Sequence, residues 1–144
     1  MDGRTFFYEL GKLIYKIDGA YDAYGRGYSV GSANLLWILY ALDGGERLSQ
    51  RQICDDWAIP RSTANTIIKE LESKNHVALS QIKGERRELL VSLTESGREY
   101  ADKILSDLYR REREIYAEIE DPAALLSTLQ NLAAKMQKIA AREK

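Results

Sequence analysis

The chain has 144 residues, of which 44% are hydrophobic and 30% charged, with 21 Lys and Arg against 22 Asp and Glu. Length and composition fit one globular domain that buries roughly two thirds of its unfolded surface, and they exclude a disordered or collagen-like chain. The net charge of −1, taken alone, argues against a strongly basic nucleic-acid binder.

In chain order, 6–24 reads as an amphipathic helix, because Phe6, Phe7, Leu10, Leu13, Ile14, Ile17 and Tyr21 recur at spacings of three and four. Gly25, Gly27 and Gly31 then signal a loop. Residues 33–42 are apolar almost all round, as a short buried helix would be, and Asp43-Gly44-Gly45 stops them. Ser49 and Gln52 have capping-box spacing and predict a short helix that carries Ile53, Cys54 and Trp57. Pro60 suits the first turn of the next helix, where no N–H bond is lost. That helix sets Ala64, Ile67, Ile68 and Leu71 on one face, and Asn75 is its expected left-handed cap.

After Asn75 the period changes to two. Val77 and Leu79, then Leu89, Val91 and Leu93, alternate on either side of a charged turn at 83–86, which predicts a β-hairpin. Thr94 caps a long helix to about residue 120, with Ala101, Ile104, Leu105, Leu108, Ile115 and Ile119 on its apolar side. Asp121-Pro122 starts a last helix, striped by Leu125, Leu126, Leu129, Leu132, Met136 and Ile139, as dimer or core packing requires.

Several chemistries find no support. The longest strongly apolar run, 33–42, is too short to span a bilayer, and the N-terminus lacks a secretory pattern, so the expectation is a cytoplasmic protein without a membrane. There is one His and one Cys, which leaves no disulfide framework and nearly excludes a zinc site. No phosphate-cradling glycine motif occurs. Neither an enzyme, a cofactor nor a metal is expected. Cys54 reads as a small buried thiol in preference to a redox sensor, and His76 as structural in preference to a ligand.

Two short helices joined by a tight turn and followed by a hairpin make a winged helix-turn-helix. Small polar side chains on the second helix suit base edges in a major groove, and Ser62, Thr63, Asn65 and Thr66 supply them. Arg61 and Lys69 suit phosphates, while Lys83, Arg86 and Arg87 at the hairpin tip suit a flanking groove or backbone. Between 61 and 87 six cations face three acids, so this window is +3 and the rest of the chain −4. Positive charge is therefore concentrated on the proposed double-stranded DNA reader.

Leu48-Ser49-x-x-Gln52-Ile53-Cys54, Ile59-Pro60-Arg61-Ser62-Thr63-Ala64 and Leu71-Glu72-Ser73-Lys74-Asn75 resemble the helix-turn-helix of MarR-family transcriptional regulators. Glu85-Arg86-Arg87-x-x-x-Val91-x-Leu93-Thr94-x-x-Gly97 resembles that family's wing signature, with Glu85 in place of its usual Asp. The resemblance implies a mainly α fold with a small β-hairpin wing, flanked by N- and C-terminal dimerisation helices. It implies a single domain over 1–144, with about 1–30 and 95–144 for dimerisation and about 31–94 for the winged lobe. It also implies a homodimer on a pseudopalindromic operator, acting as an effector-responsive repressor, with Glu85 positioning Arg87 in the wing. In the resembled fold Tyr15, Tyr21, Trp37 and Tyr40 border a cleft suited to a small aromatic or anionic effector; dimer or core packing is the plainer role for them. The rival function is a dimeric winged-helix module that binds protein and not DNA.

Overall fold

The computed structural model describes residues 1–81 and 88–141. The chain runs α1 (Gly3–Gly27), α2 (Ala33–Leu42), β1 (Leu48–Ser49), α3 (Gln50–Trp57), α4 (Arg61–Ser73), β2 (Val77–Gln81), β3 (Leu89–Leu93), α5 (Glu95–Glu118) and α6 (Pro122–Ala141). It is mainly helical with one small antiparallel sheet, as the sequence predicts. It forms two compact units, 1–107 and 108–144, divided within α5.

Most boundaries follow from their caps. The Ser49 hydroxyl accepts the Gln52 N–H at 3.0 Å while the Gln52 side chain accepts the Ser49 N–H at 2.9 Å, so the expected capping box opens α3. Asp121 accepts the Ala124 N–H and Pro122 takes the first helical position of α6. Helix α1 is longer than its apolar pattern suggests. Asp2 accepts the Thr5 N–H and starts it at Gly3, and it continues through Gly25 and Gly27. Gly25 is not a loop residue but a packing site: a Cβ there would lie 3.4 Å from that of Val30.

Three helices end alike, in a left-handed residue that is not glycine. Ser29, Ala58 and Asn75 have φ of 61°, 50° and 62°. After each, the next N–H reaches back to a carbonyl of the last turn: Val30 to Gly25, Ile59 to Cys54, and His76 to Leu71. These closures satisfy carbonyls the helices would otherwise leave unpaired. Asn75 fills the cap role the sequence assigns to it.

The sheet order is β1-β3-β2. Strands β2 and β3 pair Val77 with Leu93 and Leu79 with Val91, the predicted hairpin. Two-residue β1, which alternation cannot reveal, pairs Leu48 with Val91 and fixes the start of α3 to the hairpin. The core of the first unit takes Val30, Leu36, Ile38, Leu39 and Leu42 from α2 and its approach. It takes Ile53, Ile59, Ala64, Ile68 and Leu71 from the helix-turn-helix, and Val91, Ala101, Ile104 and Leu105 from beyond it.

Candidate nucleic-acid interface

Helix α4 divides its circumference cleanly. Ala64, Ile68 and Leu71 are buried and Ile67 is half-buried, whereas Arg61, Ser62, Asn65, Thr66 and Lys69 are exposed. At 100° per residue, Ser62, Asn65, Thr66 and Lys69 fall within one stripe and Arg61 at its edge. Thr63 departs from this group. It lies on the flank and is half-buried, because it precedes core residue Ala64 and points about a quarter turn from the stripe. The Thr66 hydroxyl donates to the Ser62 carbonyl at 3.0 Å, which leaves its lone pairs outward. Ser73 continues the stripe by one turn, unnoticed in sequence, and its hydroxyl donates to the Glu70 carbonyl at 2.7 Å.

The exposed stripe is held rigidly from behind. Helix α3 enters through its capping box, and the Ile59 amide closes the turn onto Cys54. Burial pushes the Cys54 thiol up, against a lowering pull from Arg61, so the expected inert thiol keeps its proton. At the far end, Thr94 ties the hairpin to α4. Its hydroxyl donates to the Asn75 carbonyl at 2.6 Å and accepts the Gly97 N–H at 2.9 Å, and its own N–H donates to the His76 carbonyl. Gly97 lies so close to that carbonyl that an added Cβ would sit 1.7 Å from the oxygen. This explains the Thr-x-x-Gly of the wing signature: threonine caps α5 and glycine lets α5 start against the end of α4. The His76 ring stacks on Tyr100 at 4.3 Å, and Ser96 lies 3.3 Å from its Nδ1, in keeping with a structural histidine. Lys83, Glu85, Arg86 and Arg87 lie outside the described residues.

Of the four aromatic candidates, the fold joins three. Tyr21 meets Trp37 at 4.4 Å and Trp37 meets Tyr40 at 5.8 Å. Trp57, which the sequence marked only as apolar, completes the group by stacking on Trp37 at 4.9 Å and meeting Tyr40 at 6.1 Å. The group connects α1, α2 and α3. Tyr15 stands on the exposed stretch of α1 at 77% exposure. Among the described residues no cluster of His, Cys, Asp and Glu suits a metal ion, and no helix is long and apolar enough to cross a membrane.

Known proteins agree with this geometry. The MarR family model matches residues 35–88. A MarR family regulator from Neisseria meningitidis superposes with a TM-score of 0.83 at 26% identity, over 100% of both chains. The chain is similar to the MarR family in residues 35–88 and in its whole fold. The regulator SarZ from Staphylococcus epidermidis is 28% identical over 90% of this chain and 84% of its own. An HTH-type transcriptional regulator from Bacillus subtilis, YwaE, is 33% identical over 58% of this chain, a match that spans about half of that relative, 52%. The chain thus shares the fold of a MarR family regulator along its whole length.

Proposed function

We propose that this protein is a MarR-family transcriptional regulator, a cytoplasmic, homodimeric, effector-responsive repressor that binds a pseudopalindromic operator. The observation that carries the reading is the exposed polar stripe of α4, backed by a capped and tightly closed helix-turn-helix. Ser62, Asn65 and Thr66 would meet base edges in the major groove, with Thr63 at the margin. Arg61 and Lys69 would meet phosphates. Lys83, Arg86 and Arg87 of the wing, the last positioned by Glu85, would add flanking contacts. Two copies would place their α4 helices about one helical turn apart on the duplex, roughly 34 Å.

Dimerisation is supported by apolar side chains that the single chain leaves in water. Phe6, Phe7, Leu13, Ile14 and Ile17 on α1 are exposed, as are Leu125, Leu126, Leu129, Met136 and Ile139 on α6. Burying a side chain of this size stabilises by about 1.5–3 kcal/mol, so a second copy is the natural cover. In this reading about 1–30 and 95–144 form the dimer region and about 31–94 the winged lobe, within one domain. The aromatic group of Tyr21, Trp37 and Tyr40, extended by Trp57, is the proposed contact for a small aromatic or anionic effector; Tyr15, exposed on α1, lies outside the group. An effector that binds one spacing of the lobes better than the other shifts the dimer between them.

The test is a gel-shift titration of the purified protein on its own upstream DNA across a salt series. A specific shift is expected, with a log–log salt slope that Lys69→Ala makes shallower by about 1 while Asn65→Ala weakens specific binding by roughly 1–3 kcal/mol. Absence of any shift at low salt would favour the protein-binding module instead.

A further inference from the structure

A recess of about 360 Å³ opens behind the C-terminal half of α4, on the flank away from the polar stripe. Its apolar wall is Leu35 from the first turn of α2 with Ile67 and Leu71 of α4, and Tyr100 of α5 closes one side. Helical spacing brings this about: 67, 71 and 74 follow one another down the same flank. Glu70 and Lys74 also line it, with the Lys74 Nζ 3.3 Å from the Glu70 Oε1 and both side chains more than half exposed. The volume is at the small end for small-molecule sites, about 300–1,000 Å³, which suits a metabolite of modest size.

We propose that this recess binds a free α-amino acid with an apolar side chain. The ligand carboxylate sits on Lys74, its ammonium on Glu70, and its side chain against Leu35, Ile67 and Leu71. The paired charges select this class. A simple carboxylate would meet Lys74 but face Glu70, and a simple amine would meet Glu70 but face Lys74. A zwitterion carries both charges one carbon apart and satisfies both at once. Opening the existing pair sacrifices little, since an exposed i,i+4 pair is screened by water and contributes little net stability. The first turn of α2, the positive end of that helix, borders the recess and favours the carboxylate. The site is separate from the aromatic group and lies within one protomer. Its occupant bridges α2 and the last turns of α4, the helix that carries the polar stripe.

The test is calorimetric titration of the full-length protein, without DNA, so its outcome is independent of operator binding. The probes are L-phenylalanine, L-leucine, glycine, 3-phenylpropanoate and 2-phenylethylamine. Phenylalanine and leucine are expected to bind with Kd on the order of 0.1–1 mM, in keeping with the efficiency of ligands this small. Glycine and the two half-ligands should bind at least ten-fold more weakly. Lys74→Met and Glu70→Gln, both surface substitutions that leave the melting temperature unchanged, should each weaken phenylalanine at least ten-fold. In a ¹⁵N correlation spectrum the perturbed amides should centre on Leu35, Ile67 and Leu71. No binding at 10 mM, equal binding of 3-phenylpropanoate, wild-type affinity in both variants, or perturbations centred elsewhere would each overturn the proposal.

Discussion

Two amphipathic helices meet opposite fates. On α4 every apolar residue of the inner face is buried or half-buried, and the outer face is polar. On α6 the stripe Leu125, Leu126, Leu129, Met136 and Ile139 is exposed along its length. The N-terminal half of α1 behaves like α6, and its buried residue, Gly25, comes only near the C-terminal end. The difference teaches where the partners of each face are. Helix α4 finds its partners in α2, α3 and the sheet of its own chain. The faces of α1 and α6 find no such cover within the described residues, and under the proposed function a second copy supplies it.

The largest effect should come from the crowded joint that supports α4. Gly97→Ala forces a Cβ into the His76 carbonyl, and neither backbone can yield without breaking the Thr94 bonds. A loss of about 3 kcal/mol or more is expected in urea unfolding; a loss under 1 kcal/mol would show that the joint is loose. On the other side of the comparison, the double change Leu126→Glu and Leu129→Glu should halve the mass measured by light scattering and weaken operator binding at least 100-fold. A dimer that survives it would place the interface away from the α6 stripe.

Smaller effects sharpen the contrast within the DNA-reading lobe. Ser49→Ala removes half of the capping box of α3 and should cost about 1 kcal/mol in the same urea assay. Leucine-stripe variants should leave that local contribution intact. Ala58→Gly acts in the opposite direction. It relieves the left-handed residue of the helix-turn-helix but enlarges the freedom of the unfolded chain, for a net gain of roughly 0.5 kcal/mol. A destabilised Ala58→Gly protein would mean that the alanine methyl packs more than its exposed position suggests.

The α4 stripe, the hairpin and the caps at Ser49, Asn75, Thr94 and Asp121 were legible because each is a local matter of spacing and hydrogen-bond chemistry. Gly25 and Gly27 misled the boundary of α1. A glycine in a helix and a glycine in a loop look alike in sequence, and only the packing of Val30 against Gly25 tells them apart. Strand β1 escaped notice because two residues show no alternation. Of the aromatic candidates, Tyr21, Trp37 and Tyr40 were brought together and Tyr15 was left in water. Spacing gives a helical face, but which face meets which neighbour is set by the crossing of α1, α2 and α3.

The sequence by itself determined the order of elements, their caps, the polarity of α4 and the family that its motifs resemble. These depend on residues a few positions apart, where backbone periodicity and capping decide the outcome. Only the tertiary structure decided that Trp57 joins Trp37, that Thr94 and Gly97 lock α5 onto the end of α4, and that a recess forms between α2 and α4. Those contacts join residues 18 to 39 positions apart, and no local preference encodes them. They follow from how the buried faces of several elements fill one core together.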